Sequence, residues 1–216
     1  MANSEKFNAA LLHVYGYNED QRPDRENKHP APVRPDIRGR LVISAARELK
    51  KAGLVDNFVL SGEGVSGKPP ASIVAADETI RRTHTDYNHV CTNPKAPFTT
   101  SGELKTLRKT ADDNSWQNLL SISWELHKPR VKALAKKIFR RKKKKIVFLS
   151  AEDILLSYPT PRNIARYKRV IDNVHDTQEE RNWQVYEEKL LKIIRIPFAS
   201  NVLDLVARFY RPNAQK

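Results

Sequence analysis

The residues of this chain that could act on a ligand fall in a few short clusters. Ser61 leads into Gly62-Glu63-Gly64-Val65-Ser66-Gly67, a glycine-rich turn that follows a short apolar run. Glycines at such a place let the backbone turn tightly and bring N–H donors against an anionic group. The spacing also matches a dinucleotide fingerprint or a plain structural turn. Lys68-Pro69-Pro70 before the next helix argues against the fingerprint, as does the lack of an acidic strand end about 20 positions on. His127-Lys128-Pro129-Arg130 opens a helix just after an apolar run ending at Ser123. A histidine there could serve as acid or base and an arginine as an anion clamp, against the alternative of a locally packed His127 and a solvated Arg130. Arg40, with Arg38 and Gly39, starts another helix, where the macrodipole opposes positive charge, so Arg40 is a candidate ligand or ion-pair residue. Thr100-Ser101-Gly102-Glu103 has the spacing of a reciprocal capping box, which assigns Glu103 to the helix start.

Elements must be found that position these clusters. The apolar run Ala9 to Tyr15 reads as a buried strand stopped at Gly16, and a long loop with Pro23, Pro30, Pro32 and Pro35 follows. From an Asp36 N-cap, Ile37, Leu41, Ala45 and Leu49 mark a helix that Gly53 ends. Strands are expected at Asn57–Ser61, Tyr87–Thr92, Leu119–Ser123 and Ile146–Leu149. Helices are expected at Ser72–Arg82, at Thr100–Thr110, and through Val131, Leu134, Ala135 and Ile138. This alternation predicts a mostly parallel sheet with helices on both faces and ligands at the carboxyl ends of its strands. After Ser150 the pattern is helical only: Arg162–Val174, a helix opened by a Thr177/Glu180 capping box and running to about Ile194, and Asn201–Tyr210. The expected division is an α/β domain over 1–150 and a helical extension over 151–216 packed on it.

Composition bounds the partners. The 216 residues carry 39 Lys+Arg against 25 Asp+Glu, a net charge of +14, which suits a polyanionic or anionic partner. Six of those cations run consecutively from Arg140 through Arg141, Lys142, Lys143 and Lys144 to Lys145. The run reads as a solvated loop with nonspecific anion affinity or as a nucleic-acid contact. A single cysteine, Cys91, excludes an internal disulfide and a cysteine-rich zinc site and suits a reducing compartment. No stretch reaches the length of a membrane span, so a cytoplasmic location is expected.

Taken in order, the segments from about residue 8 to 150 resemble the DUF218 family, the YdcF-like and SanA-like proteins. The matching residues are Val14-Tyr15-Gly16-Tyr17, the arginine-led helix from Arg40-Leu41, and Phe58-Val59-Leu60-Ser61-Gly62-Glu63-Gly64. They continue with Thr100-Ser101-Gly102-Glu103-Leu104 and with Ser123 followed by His127-Lys128-Pro129-Arg130. The chain departs from the family pattern at Ser72-Ile73-Val74, where an acidic residue is usual. The resemblance implies a Rossmann-like three-layer fold whose polar pocket binds an anionic or nucleotide-like small molecule, with S-adenosylmethionine as a possible cofactor. It implies no settled reaction. The ligand contacts expected on this basis are Gly16, Arg40, Ser61, Gly62, Glu63, Gly64, Ser101, Glu103, Ser123 and Arg130, with His127 orienting the ligand or acting as acid or base. A nucleic-acid-binding protein using residues 140–145 is the alternative, and no metal site is expected.

Overall fold

The computed structural model describes residues 6–14, 17–18, 34–62, 71–86, 89–93, 99–140, 144–158 and 161–195. In chain order the strands are β1 (Phe7–Leu12), β2 (Tyr17–Asn18), β3 (Arg34–Pro35), β4 (Val55–Ser61), β5 (Val90–Asn93), β6 (Asn118–Ser123) and β7 (Lys145–Ser150). The helices are α1 (Ile37–Lys51), α2 (Ala71–Thr83), α3 (Thr100–Asp113), α4 (Lys128–Ile138), α5 (Ala151–Ser157), α6 (Pro161–His175) and α7 (Gln178–Arg195). Five strands form one sheet in the order β5-β4-β1-β6-β7, with every pairing parallel. The fold is the expected Rossmann-like α/β architecture, here with an all-parallel sheet. The two short strands β2 and β3 pair antiparallel at the ends of the segment expected to be a plain loop.

Strand β1 occupies the centre, and its sequence shows why. Ala9 and Leu11 face one layer of helices while Ala10 and Leu12 face the other, and all four are buried. A strand covered on both faces needs this unbroken apolar run rather than alternation. Ala10 lies level with Phe58 of β4 and Leu120 of β6, which fixes the register of the central three strands. One apolar layer gathers α1, α2, α5 and α6 over Leu12, Phe58, Leu60 and Ile122; the other gathers α3, α4 and Ile194 of α7 over Ala9, Leu11, Val59 and Leu119.

Local signals set the helix ends. The Asp36 carboxylate accepts from the Gly39 N–H at 2.7 Å, the N-cap expected for α1. Gly53, at φ +69, lets the chain turn back at the other end, where Leu54 N bonds Leu49 O at 3.0 Å. Helix α5 was not expected from sequence. Its signal is nonetheless present: Ser150 caps the Asp153 N–H at 3.1 Å, ahead of the acidic first turn Glu152-Asp153. The helix expected at 201–210 lies outside the described residues. No helix among the described residues is long and apolar enough to cross a membrane.

Candidate functional site

The strand order reverses at β1, whose neighbours β4 and β6 are reached by connections running in opposite directions. In open parallel sheets, ligands bind in the crevice this reversal leaves at the carboxyl ends of the strands. His13 stands there, the first residue beyond β1, still held to the sheet by its N–H to Ile122 O at 3.0 Å. Ser121 and Ser123 close β6, and the turn Glu125–His127 then delivers His127 and, one helical turn on, Arg130. From behind, the first turn of α3 contributes Thr100, Ser101 and Glu103, all buried.

Glu103 is not a cap. The N-cap of α3 is Thr99, whose hydroxyl accepts from Gly102 N at 3.0 Å, so the helix starts one residue earlier than the Thr100/Glu103 spacing suggested. That shift puts Glu103 past the capping position and frees its carboxylate, which sits 2.6 Å from His13 Nδ1. His13 Nε2 in turn lies 3.0 Å from Ser121 Oγ. Ser121, His13 and Glu103 thus repeat the hydrogen-bond order of a hydrolytic triad. Burial argues against that use: His13 is 0% and Ser121 1% exposed, and Ser121 lies within the strand rather than on an exposed turn. The three instead satisfy each other as a buried polar network tying β1, β6 and α3 together.

A second network adjoins it, the His13 and His127 rings meeting edge-on at 5.6 Å. Arg130 grips Glu187 of α7 with both arms of its fork, Nε to Oε2 at 2.7 Å and Nη2 to Oε1 at 2.8 Å, and gives its remaining nitrogen to Thr100 Oγ1 at 2.8 Å. His127 Nδ1 lies 2.9 Å from Glu187 Oε1, and its Nε2 lies 3.3 Å from Thr100 Oγ1. Burial, aided by the neighbouring Arg130 charge, pushes the His127 pKa well below its ordinary value. The ring is therefore neutral, Nδ1–H donates to the carboxylate, and Nε2 accepts from the Thr100 hydroxyl. For Glu187 burial acts upward, but the hydrogen bonds from His127 and Arg130 outweigh it and hold the carboxyl at about 2. Arg130, expected to clamp a ligand, holds a carboxylate of its own chain.

Farther along the same edge, Arg38 rather than Arg40 makes the ion pair at the start of α1. Its guanidinium reaches Glu180 Oε2 at 2.9 and 3.0 Å and Glu179 Oε1 at 2.9 Å, while Trp124 Nε1–H donates to the other Glu180 oxygen. Glu180 therefore does not close a capping box: Thr177 caps its backbone N–H at 3.1 Å, but the side chain is drawn to Arg38. His175 stacks on Trp124 and approaches the Glu152 carboxyl, which accepts from Glu125 N at 2.9 Å. Burial raises Glu152 to about 8 and Asp36 to about 6.

Two expected ligand residues are left unsatisfied. Arg40 Nε and Ser61 Oγ are buried without a hydrogen-bond partner, one in the first turn of α1 and the other at the end of β4. Gly62, by contrast, is held from both sides, its N–H to Asn93 O at 3.5 Å and its carbonyl to the Ser72 hydroxyl at 3.2 Å. Ser123 is buried at the end of β6. Gly16, Glu63 and Gly64 lie outside the described residues. Of the basic run, Arg141, Lys142 and Lys143 lie outside the described residues, while Lys144 and Lys145 stand at the start of β7, at the opposite end of the sheet. The Lys144 side chain is 6% exposed and its ammonium donates to Trp116 O at 2.7 Å and Ala111 O at 3.1 Å, so this cation fastens the α3–β6 turn.

Sequence reasoning missed His13, Thr100, Ser121, Arg38, Glu152 and Glu187. Two of them left a trace: His13 as the one polar residue interrupting the first apolar run, and Arg38 in the Arg-Gly-Arg start of α1. Among the described residues no group of three or more His, Cys, Asp or Glu could hold a metal ion. No protein-family model, curated protein or solved structure matches the chain.

Proposed function

We propose that this is a cytoplasmic DUF218-like protein that binds an anionic or nucleotide-like small molecule in the crevice beyond the carboxyl ends of β4, β1 and β6. The observation that carries the reading is the pair of buried, unbonded polar atoms, Arg40 Nε and Ser61 Oγ, on that edge of the sheet. A buried donor without a partner costs about 1–3 kcal/mol, a cost that a ligand oxygen removes on binding. S-adenosylmethionine, which the resemblance implies, fits this donor set through its carboxylate, with Arg40 and Ser61 as the residues that would hold it. Bound there, it would offer a transferable methyl group. The chain's own part is recognition: Arg40 supplies charge and Ser61 a hydroxyl, while His127, both of its ring nitrogens taken by Thr100 and Glu187, holds the neighbouring strand end and helix start in place.

A thermal-shift panel of S-adenosylmethionine, adenosine, nucleoside phosphates and inorganic phosphate tests this, run on the wild type and on Arg40→Met and Ser61→Ala. Neither substitution breaks a side-chain hydrogen bond among the described residues, so loss of ligand stabilisation would report the site itself. The reading stands if at least one compound raises the wild-type Tm and either variant abolishes the rise. If no compound stabilises the wild type, or all three proteins respond alike, the crevice is not the binding site.

A further inference from the structure

Helix α7 turns a largely charged stripe, and not the centre of its apolar one, into the protein. Of its 18 residues the buried ones are Glu180, Glu187 and Ile194, spaced by seven along one stripe. Trp183 and Tyr186, which with Leu190 and Ile193 make an apolar stripe at helical spacing, remain 37% and 50% exposed. The helix is thus held to the sheet edge mainly by carboxylates on cations, Glu179 and Glu180 on Arg38 and Glu187 on Arg130, with Ile194 as its apolar anchor. The groups around Glu187 form a complete oxyanion receptor: a guanidinium fork matched to two oxygens, a neutral imidazole N–H on one of them, and a threonine hydroxyl locking both donors in place.

We propose that Arg130, His127 and Thr100 form a binding site for the oxyanion of a small ligand, carboxylate or phosphate, and that Glu187 fills it until the ligand displaces it and loosens α7. This rests on the ligand-binding reading above and adds a second anionic subsite with an internal competitor. The exchange is chemically even. The incoming oxyanion supplies the same charge and acceptors to Arg130 and His127 as the departing carboxylate, which regains water, while little apolar area is lost because α7 buries so little. A tethered competitor scales the apparent affinity down to the fraction of time that it leaves the site free.

The test follows the Arg130 Nε–H resonance while inorganic phosphate, and in a parallel arm acetate, is titrated into the wild type, Glu187→Ala and Glu187→Ala/Arg130→Gln. Tightening by about tenfold or more in Glu187→Ala is expected, together with loss of that gain in the double variant and faster amide exchange over residues 178–195 of the wild type at saturating ligand. The arm that responds tells phosphate from carboxylate recognition. Glu187→Gln, which keeps the shape and one acceptor, carries the same comparison if the alanine variant does not fold. Equal affinity in wild type and the Glu187 variants, or unchanged exchange over α7 at saturation, overturns the competitor while leaving ligand binding at Arg40 and Ser61 standing. Failure of every anion to bind any variant, with a flat thermal-shift panel, overturns both.

Discussion

Glu187 makes a pH-dependent contribution to stability that can be isolated by one substitution. Its carboxyl is held at about 2 in the folded protein against an ordinary 4.5. At 1.36 kcal/mol per unit, that difference is about 3 kcal/mol favouring the folded state wherever the group is ionised in both states. Because the folded protein binds this proton more weakly than the unfolded chain, the contribution is complete above pH 4.5 and is lost as pH falls through 2. Glu187→Gln removes the titration and leaves Arg130 facing a neutral amide, so at pH 7 the variant should be less stable by about 3 kcal/mol, the lower end of the cost of breaking a buried pair. Urea unfolding followed by tryptophan fluorescence at pH 7, 5, 4 and 3 measures the difference between the two proteins. Groups that titrate alike in both cancel from it. The gap should be constant from pH 7 to 5 and narrow steadily below 4.5. A gap that stays the same at pH 3 would refute the assignment of an ionised, strongly stabilised carboxylate at this position.

Glu152 should behave with the opposite sign. Burial raises it from 4.5 to about 8, so the folded state holds the proton more tightly, and stability falls as pH rises between those values. Glu152→Gln keeps an acceptor for the Glu125 N–H; it should match the wild type at pH 4 and exceed it at pH 9 by up to ~5 kcal/mol, read as a Tm gap that opens with pH. Arg38→Met should cost about 3 kcal/mol by stranding the buried Glu180 carboxylate, and adding Glu180→Gln should recover much of that loss. A double-mutant cycle in urea measures the recovery, and strictly additive losses would mean that the two side chains are not coupled.

The sheet was legible in the sequence because its central parallel strands are short apolar runs buried on both faces, as Ala9–Leu12 and Phe58–Leu60 are. The helix stops were legible where chemistry is local, at Asp36 and Gly53. The site was less so, for two physical reasons. Helix phase is decided by a single cap: with Thr99 rather than Thr100 as N-cap, Glu103 passes from a capping role to a partner of His13, and Thr100 becomes the hinge between His127 and Arg130. Likewise the unfavourable Arg-Gly-Arg start of α1 did signal an ion pair, but the pair fell to Arg38, and Arg40 was left with a buried, unbonded nitrogen. The second reason is distance along the chain. Glu187 meets His127 and Arg130 across 60 and 57 residues, and no local spacing reports such a contact.

The orientation of α7 shows which force decides that contact. Apolar burial alone would turn Trp183, Tyr186, Leu190 and Ile193 inward, since each large side chain taken from water contributes on the order of 1.5–3 kcal/mol. Turning them inward would instead leave the guanidinium groups of Arg38 and Arg130 and the N–H groups of Trp124 and His127 against hydrocarbon. Buried charges without partners cost several kcal/mol each, whereas Trp183, Tyr186 and Ile193 are already half-buried or more and would return only part of that apolar figure. The carboxylates of Glu180 and Glu187 meet all four donors at once, and the helix takes that face. The cations stand on the first turns of α1 and α4 and not on α7. Folded, they call for carboxylate partners, and Glu180 and Glu187 of α7 are the ones that reach them.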